Sequence, residues 1–288
     1  MRLTATAVLT AAILALVACT TKPGVSGLRR PNLIKAVVSL SPSTTEIYCS
    51  QTGCQGLVGR TSSCDYPPQV KNLKVVVDGT TPNYQLITQI HPDLILYDAD
   101  LYGPAEIEKI KSLRQQTNGV QFLEFHPKTV DDLVAFHREL STMMGTESSA
   151  STAVDKWLQE INNELGVAQS AKQKPTVAII DLGGSVLAAG SKSLQADIYR
   201  RCGVTVVGPA SDKFAEWNAE DLVKADPNAI LSTVPLEKFK SDPRFANLRA
   251  VKNEDVIQVV PDVILRVGDR IETLLKTTVP RIAKAANR

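Results

Sequence analysis

The sequence has few of the residues that metal sites and nucleic-acid surfaces require. It contains three histidines in 288 residues, His91, His126 and His137, whereas capture of bare zinc or manganese needs histidines and carboxylates that converge. The formal net charge is only +2 and no basic cluster is present, which argues against nucleic acid as a partner. Beyond the N-terminal segment, no hydrophobic run approaches the length of a transmembrane helix.

Signatures of catalysis are also missing from the sequence. An exported α/β hydrolase would need a Gly-x-Ser-x-Gly elbow, and the nearest stretch, residues 183–185, lacks the closing glycine. No Ser-x-x-Lys, His-Glu-x-x-His or phosphate-loop motif occurs. We therefore expect no enzyme activity, no cofactor and no resident metal.

The first residues have the composition of an export signal. Arg2 is their only charge, and the uncharged stretch of residues 5–18 is too short to span a bilayer comfortably at about 1.5 Å per residue. The stretch ends in Leu-Val-Ala before Cys19, which resembles the lipobox of bacterial lipoproteins. We predict a signal peptide over residues 1–18 and a lipidated tether over residues 19–33, beginning at Cys19. An ordinary signal peptide that contains a cysteine is the alternative.

Export changes what the other cysteines are expected to do, because thiols outside the cytoplasm tend to pair. Cys49, Cys54 and Cys64 lie close together in the sequence, and Cys202 stands apart. One local disulfide is expected, most simply between Cys54 and Cys64, although the spacing does not assign the pair. A thiolate metal site is the alternative, but the spacings match no zinc pattern.

Short apolar strands alternate with helical stretches through both halves of the chain. Residues 82–96 align with residues 217–231 without a gap, and each stretch reads as helix, Pro-containing turn and buried strand. A second pair of similar segments, Leu57–Gly59 and Val206–Gly208, precedes these two stretches in the same order. Two related α/β lobes are the economical explanation. The predicted strands are 36–40, 56–59, 94–97, 120–125, 177–181, 204–208, 229–233 and 256–260.

Between the halves the pattern is helical. Apolar residues recur at helical spacing over residues 129–144 and again over residues 148–171. At about 1.5 Å per residue, the second helix is a rod of roughly 35 Å, long enough to join two lobes. We therefore predict an α/β fold of two Rossmann-like lobes, residues 34–144 and 173–288, joined by a single long helix within residues 145–172. The ligand cleft is expected between the lobes.

The stretch from Val37 to Ser50 changes abruptly from a strand pattern to a helix start. Ser43 stands three residues before Glu46, which is the spacing of a capping box. In open α/β sheets, ligands bind beyond the carboxyl ends of the strands, where N–H groups of helix starts point outward. We therefore expect Ser41 and Ser43 to lie at a ligand.

The same rule nominates the loops that follow the other predicted strands. Aromatic residues are concentrated in these loops, although only 5% of the chain is aromatic. This concentration suggests stacking on a flat or bulky ligand, with core packing as the alternative for each ring. The candidates in these loops are Ser63, Asp65, Tyr66, Thr80, Tyr97, Tyr102, Phe214 and Trp217.

The combination of the 37–50 turn, the Asp-Tyr-Pro-Pro of residues 65–68, the repeated units and the central helix resembles the substrate-binding proteins of bacterial ABC importers. The resemblance covers nearly all of residues 35–283, and it is closest to the cobalamin- and ferric-siderophore-binding family. It implies capture of a small molecule between the lobes and docking on a membrane permease. It also implies that Arg266 closes the pocket of the second lobe, where a guanidinium can bind ligand oxygens.

Several positions depart from the pattern of this family. The resemblance implies tryptophans against a corrin ring, but Gly79 and Val263 stand at two such positions, Ser63 replaces an aromatic residue, and only Phe214 keeps aromatic character. A corrinoid such as cobalamin is still the expected ligand. A ferric siderophore or haem would use the same cleft, and haem iron could then meet His126, Tyr97 or Tyr102.

The resemblance further implies a surface glutamate on each lobe that meets permease arginines. Glu220 matches the second, whereas Gln85 stands at the first position and carries no charge. The expected partners are therefore a small-molecule ligand, an ABC permease and the bacterial membrane, reached through the lipid anchor of an extracytoplasmic monomer. A surface sensor or adhesin lipoprotein with the same lobes is the alternative outside transport.

Overall fold

The first half of the chain folds into a six-stranded, mostly parallel sheet in this computed structural model, which describes residues 34–117, 119–183 and 185–288. The predicted signal peptide, Cys19 and tether lie outside the described residues. The strands are β1 (Val37–Ser39), β2 (Leu57–Thr61), β3 (Lys74–Asp78), β4 (Thr81–Pro82), β5 (Leu94–Asp98) and β6 (Gln121–Phe125), in the spatial order β4-β3-β2-β1-β5-β6. β4 is antiparallel to β3, and the other pairs are parallel.

Four α-helices accompany this sheet in the described part of the chain. They are α1 (Pro42–Thr52), α2 (Tyr84–Ile90), α3 (Pro104–Gln116) and α4 (Val130–Met144). β1 and β5 are buried along their whole length, as expected of central parallel strands whose two faces are both covered by helices.

The long central helix predicted from the sequence is confirmed. α5 (Glu147–Gln169) differs from the predicted 148–171 by at most two residues at either end. It packs against α1 and α4 of the first half. Trp157 and Ile161 are buried on its apolar face. None of the helices in the described ranges is long and apolar enough to cross a membrane.

The second half forms another sheet with the same central arrangement. Its strands are β7 (Thr176–Asp181), β8 (Leu187–Ala189), β9 (Thr205–Val206), β10 (Phe214–Glu216), β11 (Ala229–Ser232) and β12 (Val256–Gln258), in the order β10-β8-β7-β11-β12, and β9 also pairs with β7. The helices are α6 (Leu194–Arg201), α7 (Ala219–Ala225), α8 (Leu236–Ser241), α9 (Arg249–Lys252), α10 (Pro261–Ile264) and α11 (Ile271–Ala285). α6 and α11 pack against α5, so this helix contacts both lobes. The predicted fold, two α/β lobes joined by one long helix, is confirmed.

The predicted internal repeat is also confirmed. Asn83 caps α2 and Asn218 caps α7, each through its side-chain oxygen, which accepts a backbone N–H at 3.0 and 2.9 Å respectively. Both helices end at a residue in the left-handed conformation, His91 with φ 51° and Asp226 with φ 36°. The buried strands β5 and β11 follow, and the strand orders β2-β1-β5-β6 and β9-β7-β11-β12 correspond.

The start of α1 differs from the prediction. Ser41 is the N-cap, and its hydroxyl accepts a hydrogen bond from the backbone N–H of Thr44 at 3.1 Å. Glu46 does not reach back to Ser43, because its carboxylate binds Arg270 of the second lobe at 2.6 and 3.0 Å. The capping-box prediction is therefore wrong, since a distant arginine takes the carboxylate that the spacing assigned to a local cap.

The disulfide pairing differs as well. The bond joins Cys49 and Cys54, whereas Cys64, the expected partner of Cys54, is a buried free thiol. Cys49 lies in the last turns of α1, and the turn after the helix brings the two Cα atoms to 4.1 Å. The Cys64 sulfur instead lies 3.1 and 3.2 Å from the hydroxyls of Thr45 and Thr61.

Candidate ligand-binding cleft

Two adjoining cavities lie between the two lobes. Their volumes are about 270 and 260 Å³, and residues of both lobes line each of them. Ser43, Asp98, Leu101 and Leu265 line both cavities. On the first lobe, the lining residues follow the carboxyl ends of β1, β2, β3, β5 and β6, as the strand-end rule predicts.

Six of the eleven predicted ligand-binding residues line these cavities. Ser43 lines both, Phe214 lines the first, and Ser63, Thr80, Tyr102 and Arg266 line the second. The fold therefore brings together six residues that the strand-end rule and the family resemblance had selected from distant parts of the chain. Whether these residues contact a ligand stays a prediction.

The other predicted residues lie outside the cavities. The Ser41 hydroxyl is used by the helix cap, and Tyr97 is a core residue, 1% exposed, whose hydroxyl donates to a glutamate of β6. Trp217 lines a separate surface pocket of the second lobe. Tyr66 is exposed, with the guanidinium of Arg270 4.8 Å from its ring centre.

Arg266 lies in the second cavity, but its guanidinium is already engaged. Nη1 donates to the Ser63 carbonyl oxygen at 3.0 Å and lies 3.4 Å from an oxygen of Asp65. Nη2 lies 2.9 Å from an oxygen of Asp262. These contacts place Asp65 next to a cavity residue and join the two lobes on this side of the cleft.

The most buried carboxylate of the cleft was missed by the sequence analysis. Asp98 ends β5, is 8% exposed and lines both cavities. Its Oδ1 accepts the backbone N–H of Asp100 at 2.9 Å. Burial raises the pKa of Asp98 to about 7; the charge of Asp100 adds to the rise, while the Asp100 amide and Lys128 lower the pKa. An acidic residue directly after the predicted buried strand 94–97 was the available signal.

An apolar pair from opposite lobes was also missed. Leu101 and Leu265 are 44% and 41% exposed, and both line both cavities. Large exposed aliphatic side chains offer a surface for an apolar ligand face. Neither leucine carries a ring, so the concentration of aromatic residues did not point to them.

A lysine joins the lobes on the other side of the cleft. The Lys128 ammonium lies 3.1 Å from an oxygen of Asp100 and 3.1 Å from an oxygen of Asp212 of the second lobe. Nδ1 of His126 lies 3.2 Å from Asp100. Within the described ranges, no group of three or more His, Cys, Asp or Glu residues is arranged to hold a metal ion.

Behind the cleft, His137 is a core residue. It is fully buried, its ring lies edge-on to Trp157 with centres 4.3 Å apart, and its Nδ1 is 3.0 Å from the side-chain nitrogen of Gln51. Burial lowers the pKa of His137 to about 3 and raises the pKa of Asp269, whose carboxylate lies 3.7 Å from Nε2, to about 7. This pair is enclosed between the lobes and does not line either cavity.

The two residues predicted to meet a permease occupy equivalent positions. Gln85 and Glu220 are both exposed and lie in the first turns of α2 and α7, the two helices of the repeat. The side chains therefore lie on matching surfaces of the two lobes. Their contact with a permease stays a prediction.

Comparison with known proteins agrees with this architecture. A vitamin B12-binding protein of Pectobacterium carotovorum subsp. carotovorum (strain PC1) is 27% identical over 204 residues, which are 69% of this chain and 71% of that protein. An uncharacterised ABC transporter substrate-binding lipoprotein, YvrC, of Bacillus subtilis (strain 168) is 24% identical over 82% of this chain and 76% of that protein.

The same fold is present among solved structures. The periplasmic vitamin B12-binding protein BtuF of Vibrio cholerae superposes with a TM-score of 0.75 over 89% of this chain and 99% of that chain, at 21% identity. A family model described as periplasmic binding protein matches residues 37–263, more than three quarters of the sequence. The chain therefore belongs to the periplasmic binding protein family.

Proposed function

We propose that this protein is the extracytoplasmic substrate-binding component of an ABC importer and that it captures a corrinoid such as cobalamin between its lobes. Membership of a solute-binding family supports capture and delivery as its task. The relatives named vitamin B12-binding proteins support the choice of a corrinoid among the ligands considered.

The observation that carries the proposal is the pair of adjoining cavities between the lobes. They combine apolar surface from Leu101, Leu265 and Phe214 with the polar groups of Ser43 and Asp98. Pockets of this mixed character are typical of small-molecule sites, in which apolar walls supply most of the contact area and a few polar groups fix the orientation.

Binding of a ligand as large as a corrinoid requires the cleft to widen. Small-molecule pockets have volumes of roughly 300–1,000 Å³, more than either cavity provides. Leu101 and Leu265 line both cavities, so their separation would join the two into one larger space. The ion pairs that Arg266 and Lys128 make across the cleft would lengthen at the same time.

Haem fits this cleft less well. Haem proteins hold iron through an axial side chain such as His or Tyr. Tyr97 lies in the core, and the Tyr102 hydroxyl donates to the Leu40 carbonyl oxygen at 2.6 Å, while burial raises the pKa of Tyr102. His126 is held by Asp100. Neither of the two tyrosines has a free hydroxyl for iron.

Delivery requires the protein to stay near its permease. We infer that Cys19 carries a lipid anchor after removal of residues 1–18, and a relative named as a lipoprotein supports this inference. Gln85 and Glu220 would then face the permease, one on each lobe of a monomer. Mass spectrometry of the N-terminal peptide from the expressing bacterium tests the anchor, because lipidation of Cys19 adds the mass of its acyl chains.

The ligand is tested by native mass spectrometry of protein from its own host, followed by calorimetric titration with cyanocobalamin, haem and ferric citrate. We expect a co-purified corrinoid and the tightest binding for cyanocobalamin. Two aromatic residues give a matched pair of variants, since Phe214 lines the first cavity and Trp217 lines a separate pocket. Phe214→Ala should weaken binding about tenfold, whereas Trp217→Ala should leave it unchanged. A co-purified siderophore or haem would contradict the corrinoid.

A further inference from the structure

Two largely buried polar side chains of the cleft each have an atom that is open to the cavities and has no hydrogen-bond partner among the described residues. Ser43 is 5% exposed and Asp98 is 8% exposed, and both line both cavities. Oδ1 of Asp98 accepts the Asp100 amide, but within residues 34–117, 119–183 and 185–288 no partner is found for Oδ2 of Asp98 or for the Ser43 hydroxyl. Neither atom is among the side-chain atoms that are sealed from solvent without a partner. Both are therefore open to the cavities, where they can form hydrogen bonds with a group that enters.

The charged groups around this pair are mostly acidic. Asp98, Asp100 and Asp212 line the first cavity, and Lys128 is shared between the last two, 3.1 Å from each. Lys213 is the basic residue lining this cavity that makes no ion pair with the described residues.

The second cavity has the same character. Its basic residue is Arg266, whose guanidinium is already paired with Asp262 and Asp65. A ligand that enters either cavity therefore meets more acceptors and negative charge than free positive charge. A buried carboxylate beside an anionic ligand is strongly unfavourable, because the low dielectric constant strengthens the repulsion.

We propose that Ser43 and Asp98 form a polar anchor that binds a hydrogen-bond donor of the ligand, and that the cleft thereby selects neutral or cationic, donor-bearing ligands over anionic metal complexes. This inference rests on the proposed function, since it assumes that the cleft is the capture site. The primary amides of a corrinoid are donors of this kind, with N–H groups for the Asp98 carboxylate and a carbonyl oxygen for the Ser43 hydroxyl. Ferric citrate presents carboxylates, which Asp98 would repel.

The anchor is tested by calorimetric titration of the full protein with cyanocobalamin and with ferric citrate at about pH 8, where Asp98 is ionised. Asp98→Asn keeps the size of the side chain and an oxygen for the Asp100 amide but removes the charge. It should weaken cyanocobalamin binding about tenfold, because a hydrogen bond to a charged acceptor is lost. Affinity for ferric citrate should stay the same or rise. Asp155→Asn, on the exposed face of α5, is the matched control and should change neither affinity.

Ser43→Ala is a second, independent variant. The Ser43 hydroxyl makes no hydrogen bond within the described part of the chain, so its removal should leave folding intact and weaken cyanocobalamin binding several-fold. Cyanocobalamin affinity within about twofold of wild type in both variants would refute the anchor and leave the proposed function standing. Tighter binding of ferric citrate than of cyanocobalamin by the wild type would refute the selection. Failure of the wild type to bind cyanocobalamin, haem or ferric citrate would refute the proposed function and the anchor with it.

Discussion

Arg270 and Glu46 form a two-bonded ion pair that joins the second lobe to the first helix of the first lobe, with Nη2–Oε1 at 2.6 Å and Nε–Oε2 at 3.0 Å. The Glu46 side chain is 2% exposed and the Arg270 side chain 22%. Burial raises the pKa of Glu46, and the charge and hydrogen bonds of Arg270 oppose that rise. Arg270 therefore opposes the protonation of a buried carboxylate at the junction of the lobes.

Removal of this arginine should destabilise the protein strongly. Arg270→Met leaves the Glu46 carboxylate buried without its partner, and we expect a loss of about 2–4 kcal/mol in the free energy of unfolding, measured with urea. A Glu46→Gln, Arg270→Met double variant should recover part of this loss, because no uncompensated charge remains. Arg281→Met, at an exposed position of α11, is the control. A loss below about 1 kcal/mol in the single variant would show that the pair does not stabilise the junction.

The buried carboxyl of Asp98 should make stability depend on pH. Its pKa rises from 3.8 to about 7 in the folded state, so the folded protein holds this proton more tightly than the unfolded chain. The fold therefore loses stability as pH rises from about 4 to about 7. Asp98→Asn cannot lose a proton, and it should match the wild type near pH 4 and exceed it by roughly 2–4 kcal/mol near pH 8.

Urea titrations of both proteins at the two pH values measure this difference directly. His137 contributes in the opposite direction, since its pKa is lowered to about 3 and the folded state resists its protonation as pH falls below about 6.5. That contribution is common to wild type and variant, so it cancels in the comparison. An equal difference at both pH values would mean that Asp98 keeps an ordinary pKa.

The exposed Glu220 should affect transport without affecting capture. Glu220→Arg reverses a charge in the first turn of α7, outside both cavities. We expect ligand affinity to stay at the wild-type value and uptake by cells to fall about tenfold, because the charge would repel permease arginines. Glu237→Arg, at an exposed position of α8, is the control. Equal loss of affinity and uptake would place Glu220 in ligand binding.

A labelling experiment should distinguish the disulfide-bonded cysteines, Cys49 and Cys54, from the buried free thiols of Cys64 and Cys202. Peptide mapping of the non-reduced protein should find Cys49 linked to Cys54. Cys64 and Cys202 are 1% and 0% exposed, and burial raises the pKa of Cys202 to about 12. Both thiols should react with iodoacetamide only after unfolding, because a buried protonated thiol is a poor nucleophile. Rapid labelling of Cys64 in the folded protein would contradict its burial.

Much of the fold could be predicted because its signals are local. The caps at Asn83 and Asn218, the turns before the prolines and the apolar strands recur at a fixed spacing, and each depends on residues a few positions apart. The helices α4 and α5 were predicted within two residues for the same reason. The strands that were missed lie at or near a sheet edge or have only two or three residues, so alternation gives little signal.

The predictions that failed did so for two reasons, a contact distant in sequence and a turn geometry that residue spacing does not reveal. The capping box failed because Glu46 binds a partner 224 positions away, and the disulfide because the turn after α1 favours Cys49 over Cys64. The aromatic residues were poor markers of the cleft, because Tyr97 and Trp217 pack against the cores of their own lobes. Asp98 and Leu101 lie in the loop that follows the predicted strand 94–97. They line a cavity only because the second lobe faces them.

The uninterrupted α5 also limits how the protein can respond to a guest molecule. Over 23 residues it keeps continuous helical hydrogen bonding, so it offers no hinge about which the two lobes could rotate far apart. Opening has to come from slight rocking of the lobes on the side chains packed along this rod. Under the proposed function, the ligand-bound and ligand-free proteins would then have nearly the same outline, and the permease would have to detect small changes at the rim of the cleft.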